Sequence, residues 1–175
     1  MGTLYDPVEC DLEAFRNTYV MGPELWDKFD ISDLEVDFSI WGKAKMMNDV
    51  GGLNEEVANI PTAFGGIYVY IIVPPVIPEV GAYIMYVGMA TKTPHENLQA
   101  RVRSYKREFK DNSKRRRLHR LFDKWGKYVY VAYLPVDSSN EVIETLEDRL
   151  IAALVPPCNA DIQIKSVKDA VRAFA

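Results

Sequence analysis

The chain has 175 residues, 48% of them apolar and 26% charged, which suits one domain of ordinary size and excludes a chain disordered throughout. Two cysteines, Cys10 and Cys158, and two histidines, His95 and His119, exclude a disulfide framework, a zinc finger and a Cys/His hydrolase with residues to spare. The net charge of -4 hides a strong asymmetry: residues 1–60 carry 13 acids against 4 bases, whereas residues 101–127 carry 12 bases against 3 acids.

Residues 1–60 form an acidic N-terminal extension. Its start, Met1 to Asp11, has the wrong sign for a signal or transit peptide, and the apolar stretch Phe64 to Val80 is broken by Pro74, Pro75 and Pro78 and too short for a bilayer. The expectation is a soluble, cytoplasmic protein with no membrane partner. Leu12, Phe15 and Tyr19 have helical spacing, and Leu34, Val36, Phe38 and Ile40 alternate as a half-buried strand does. A short helix is expected from Asn54 to Ala58. Phe15, Tyr19, Leu25, Trp26, Phe29, Phe38 and Trp41 are too many large apolar residues for a free tail, so the extension is expected to pack on the core. An interaction surface for another protein or a second copy, and an arm shielding the basic stretch, are the other readings.

Gly66 to Val73 (GIYVYIIV) and Ala82 to Val87 (AYIMYV) read as two antiparallel strands around a proline-rich loop. Thr93-Pro94 opens a helix with an apolar stripe of Leu98, Val102, Tyr105 and Phe109. A second helix runs from about Lys114 to Lys124, stopped by Gly126. Tyr128 to Leu134 is a third strand. Ser139 or Asn140 caps a helix to about Leu154, which Pro156-Pro157 ends, and a last short helix covers Ser166 to Phe174. The expected fold is α+β: a small three-stranded antiparallel-type sheet flanked by helices, in the order ββααβα over 61–161, with residues 162–175 as a C-terminal helix.

Two features point to chemistry. On the helix from Glu141 to Leu154, the residues Val142, Ile143, Leu146, Leu150 and Leu154 form one apolar side, and Glu147 projects inside that arc. A carboxylate there must be paired, bind a cation or sit at an exposed helix edge. Arg101 and Tyr105 share a face one turn apart, with Arg101 beside the apolar Leu98 and Val102.

With these residues in order, the sequence resembles the GIY-YIG nucleases over about Ile60 to Asp161. Gly66-Ile67-Tyr68 looks like the first signature and Tyr86-Val87-Gly88 like the second. Arg101 in ARVRSY matches the family's arginine helix, with Tyr105 its aromatic. Leu146-Glu147-Asp148-Arg149-Leu150-Ile151 looks like the LExxLI helix, and Asn159 after Pro156-Pro157-Cys158 matches the PxYN asparagine. The departures are a longer spacing between the signatures, Met89 where a lysine is common, and Cys158 where a tyrosine is common.

The resemblance implies a stand-alone phage or bacterial endonuclease that hydrolyses DNA with one Mg²⁺ or Mn²⁺ held by Glu147. In that scheme Arg101 clamps the scissile phosphate, Tyr68 activates or orients the water, Tyr86 and Tyr105 complete the hydrogen-bonding shell and Asn159 orients a neighbour. Gly66 and Gly88 allow close backbone approach. The basic stretch, with Arg103, Lys106, Arg107, Lys110, Lys114, Arg115, Arg116, Arg117 and Arg120, then tracks the DNA backbone, and the bland alternative is a solvated face. The competing function is a catalytically weak or inactive nucleic-acid-binding or interaction module on the same fold, for which Met89 speaks.

Overall fold

The computed structural model describes residues 14–77, 80–109 and 115–173. Four strands, β1 (Gly42–Lys45), β2 (Gly65–Ile72), β3 (Tyr83–Ala90) and β4 (Val129–Val136), form one antiparallel sheet in the order β1-β4-β2-β3. The helices are α1 (Pro23–Lys28), α2 (Leu98–Ser104), α3 (Arg116–Trp125), α4 (Asn140–Leu154) and α5 (Lys165–Ala173). The class is α+β. No helix among the described residues is long and apolar enough to cross a membrane.

The β2 sequence explains why it is central. GGIYVYII is β-branched or aromatic on both faces, so neither face tolerates water, and helices cover both. Tyr68, Tyr70 and Ile72 pack with Leu98 and Val102 of α2 and Leu118, Leu121 and Phe122 of α3. Ile67 and Val69 pack with Ile143, Leu146 and Ile151 of α4 and Val167 of α5. The sheet is thus the middle of three layers. In the β2–β3 hairpin, Tyr70 pairs with Tyr86 but Ile71 with Ile84, so Met85 is an extra residue, a bulge that keeps Tyr83 and Tyr86 on the same face.

The three-stranded sheet expected from the sequence is corrected by β1, which pairs with β4 from within the acidic extension. Gly-Lys-Ala-Lys carries no β-branched residue, and only Ala44 is buried, so the strand has no hydrophobic signature of its own. The strand expected around Leu34–Ile40 is absent. Asp37 accepts the Ser39 N–H at 2.9 Å and winds Phe38–Ile40 into a 3₁₀ turn, while Leu34, Val36 and Phe38 still reach the core under α4. The expected helix at Asn54–Ala58 is a 3₁₀ turn, Glu55–Asn59, capped by Asn54. Of the helical spacing at Leu12, Phe15 and Tyr19, Leu12 lies outside the described residues; Phe15 is helical, Tyr19 is not.

The start of α2 also moves. Thr93 closes a turn by accepting the N–H groups of His95 and Glu96, and Asn97 caps the helix by accepting the Ala100 N–H at 2.8 Å. Helix α4 starts as expected, with Ser139 accepting the Val142 N–H, and ends at Val155, a left-handed residue with φ 43°.

Gly66 has φ 145°, and a Cβ there would overlap the Leu134 carbonyl of β4. Gly66→Ala should therefore destabilise by roughly 3 kcal/mol or more, since both backbone strain and overlap act on a central strand. A urea-unfolding midpoint unchanged by the substitution would contradict this.

Candidate functional site

The site is built around the outer edge strand, β3, where the two helical layers meet. From one layer, α4 presents Glu147. From the other, the start of α3 presents Arg115, Arg116 and Arg117. Together with Tyr86 of β3 and the loop Cys158–Asp161 they line a groove of about 540 Å³. The lining carries three arginines and three carboxylates, Glu147, Asp148 and Asp161, the last paired with Lys168 at 2.9 Å.

Glu147 is half-buried. Burial, with Asp148 adding repulsion, pushes its carboxyl up to about 7, against the pull of the Met89 N–H and the Arg101 charge, with Glu144 adding further repulsion. Among the described residues no Lys or Arg makes an ion pair with it. The satisfied ion pair that would make this carboxylate merely structural is therefore not found there.

Behind the groove lies a cluster of four tyrosines. The Tyr68 and Tyr105 hydroxyls are 2.6 Å apart, and the Tyr86 hydroxyl is 3.4 Å from that of Tyr105. Tyr70 stacks on Tyr86 at 5.8 Å, and its own buried hydroxyl has no hydrogen-bond partner among the described residues. Nothing in a run of strand tyrosines separates Tyr70 from its neighbours.

Two guanidiniums face the ring of Tyr105, Arg115 at 4.8 Å and Arg101 at 6.0 Å. Arg101 does not line the groove itself; it stands on the Tyr105 side, where its charge is felt by Glu147 and Tyr68. Its Nε is buried without a hydrogen bond among the described residues, and the nearest carboxylate, Glu96, is 3.9 Å away, too far to accept one. Arg115 was expected only to contact DNA generally. Of the three arginines that line the groove with Glu147 it is the one that stands over Tyr105, and nothing in a run of three arginines marks the first as special.

Tyr68 lies deeper than its neighbour Tyr86. It is fully buried, with Gly88 as its seat, since a Cβ on Gly88 would come within 2.5 Å of the Tyr68 ring. Burial, with the neighbouring tyrosines, raises its phenol well above the ordinary value despite Arg101. The tyrosine that lines the groove is Tyr86, whose phenol is raised by burial and by Tyr105 and feels the charges of Arg115 and Glu147.

Asn159 is buried beside the edge of β3. Its side chain accepts the Val87 N–H at 2.9 Å and donates to the Val87 carbonyl at 2.8 Å, imitating a strand's backbone, while the Cys158 N–H donates to the Met85 carbonyl at 2.8 Å. It positions the loop and β3 and is not aimed into the groove as a reacting group.

The basic stretch divides. Arg103, Lys106, Arg107 and Arg116 are exposed. Lys110 and Lys114 lie outside the described residues. Arg117 donates to the carbonyls of Pro157 and Asn159, each at 3.1 Å, and Arg120 to those of Ala14 and Arg16. These two, expected to bind DNA, are also exposed, and they tie the chain's own segments together.

Comparison with family models, with curated proteins and with solved structures finds no match. The chemistry must be read from the geometry. Among the described residues no three His, Cys, Asp or Glu side chains gather into a ready cation cage. The fit for a metal rests on Glu147 alone: a carboxylate on the verge of protonation, beside acidic neighbours, is relieved by a cation, and a single carboxylate suits Mg²⁺, which keeps most of its waters.

Proposed function

We propose that this chain is a GIY-YIG-type, metal-dependent endonuclease that hydrolyses DNA phosphodiester bonds in the groove between α3 and α4. The observation that carries the reading is the half-buried Glu147 carboxylate, without a basic partner among the described residues, in one groove with Arg115, Arg116 and Tyr86.

Glu147 is the residue that would hold Mg²⁺ or Mn²⁺. Such an ion supplies neutralisation of phosphate charge and stabilisation of the leaving oxygen. Arg115 holds the scissile phosphate from the groove wall, and Arg101, which shares the Tyr105 ring with it, reaches in to clamp the same phosphate and the developing charge on it. Tyr86 orients the attacking water by hydrogen bonding, and Tyr68 braces Tyr105 from behind. Arg103, Lys106, Arg107 and Arg116 add affinity for the backbone without reading sequence. The second reading, a non-catalytic nucleic-acid-binding module, draws on Met89 and on the sealed Tyr68 hydroxyl.

A nicking assay on supercoiled plasmid decides between them. The wild-type protein should nick with Mg²⁺ or Mn²⁺ and not in EDTA, and its DNA affinity should fall roughly a hundredfold between 50 and 200 mM salt, as expected when about four phosphates are neutralised. Binding without nicking would favour the module; binding indifferent to salt would remove the basic stretch from the interface.

A further inference from the structure

A second concavity, about 490 Å³, lies on the same sheet face as Tyr86, at the far end of β3. It is lined by five aromatic rings: Phe15, Tyr19, Tyr83, Trp125 and Tyr128. Three of them are open to solvent, Phe15 at 45%, Tyr19 at 36% and Tyr83 at 53%. Phe15 sets edge-on against Trp125 at 5.6 Å, and Tyr19 and Tyr83 lie 6.1 Å apart. The Tyr19 hydroxyl donates to Met85 Sδ at 2.8 Å, fixing its ring.

Its charge comes from the end of the basic stretch. Lys127 Nζ stands 5.2 Å over Tyr128, and the Arg120 guanidinium, which also donates to the Ala14 and Arg16 carbonyls, 5.9 Å over Trp125. Exposed rings edged by cations are the combination that holds single-stranded nucleic acid, with bases on the rings and phosphates on the cations. Duplex DNA has no free base face to offer such rings.

The position links this concavity to the groove already described. The bulge at Met85 puts Tyr83 and Tyr86 on one face three residues apart, about 10 Å along the strand. Met85 lies between them, its sulfur accepting from the Tyr19 hydroxyl and its carbonyl from the Cys158 N–H, each at 2.8 Å. One strand could occupy both sites at once.

We infer that Tyr83, Tyr19 and Trp125 form a stacking site for an unpaired base of a DNA strand whose neighbouring phosphate lies in the Glu147 groove. The inference rests on the nuclease reading and narrows its substrate to DNA with an unpaired stretch beside the cut.

The test measures equilibrium binding in EDTA, by tryptophan quenching and by anisotropy of labelled DNA, of a short oligothymidylate and of a duplex of the same length. The wild type should bind the single strand more tightly. Tyr83→Ala should lose roughly tenfold for the single strand and little for the duplex. Tyr83→Phe, which keeps the ring, should bind as the wild type does. Equal single-strand affinity in Tyr83→Ala and wild type overturns the inference, as does an equal loss for both DNA forms. A proline-rich peptide that quenches the tryptophans while the oligonucleotide does not also overturns it. Metal-dependent nicking that survives any of these results leaves the nuclease reading standing; a wild type that binds neither DNA form ends both.

Discussion

Glu147→Gln should abolish metal-dependent nicking, by roughly 10²–10³-fold or more, and at the same time make the metal-free protein more stable above neutral pH. The two effects share one cause. The Glu147 carboxyl is pushed up to about 7 in the folded chain, far above an unfolded glutamate. A raised carboxyl favours folding fully below the unfolded value and loses that contribution as pH rises through about 7. Glutamine carries no such charge, so wild type and variant should melt together near pH 4 and separate by about 1–2 kcal/mol near pH 9, allowing for partial exposure. Adding Mn²⁺ at pH 8 should raise the wild-type Tm and leave that of the variant in place. Thermal melts across pH, with and without Mn²⁺, check this. Coincident pH profiles would mean that the carboxylate is solvated, and the groove would lose its claim to a cation.

Arg101→Met should fold at least as well as the wild type yet lose activity by roughly 10²–10³-fold. The buried Nε without a partner is a cost that the free protein bears, of about 1–3 kcal/mol, and an apolar side chain of similar length removes it. Arg101→Lys keeps the charge without the planar fork and should recover little activity. Calorimetry beside the nicking assay separates the outcomes. A large fall in Tm for Arg101→Met would show that the guanidinium serves the fold through Glu96 or Tyr68, with no vacancy left for a phosphate.

The order of core elements was legible because each had its own periodicity: GIYVYIIV for β2, the Leu98–Val102 stripe for α2, and the Ser139 cap for α4. Glu147 was legible as a charge inside an apolar arc. What escaped depends on pairing between distant segments. Strand β1 exists only because β4 offers it an edge. Arg115 differs from Arg117 only by which carbonyls and rings lie nearby, Tyr105 for one and the Pro157 loop for the other. Tyr68 and Tyr86 look alike as strand tyrosines, and only the position of β3 at the rim decides which of them lines the groove.

The Asn159 clasp on Val87 has a bearing on self-association. An uncovered outer strand invites a second copy to add its own, the first step toward polymerisation. Here the Cys158 amide and the Asn159 carboxamide already take up the Met85 and Val87 backbone, so the middle of this margin is closed by the chain itself. Substituting Asn159 would thus release two backbone groups as an adhesive surface, and the damage would show first as turbidity.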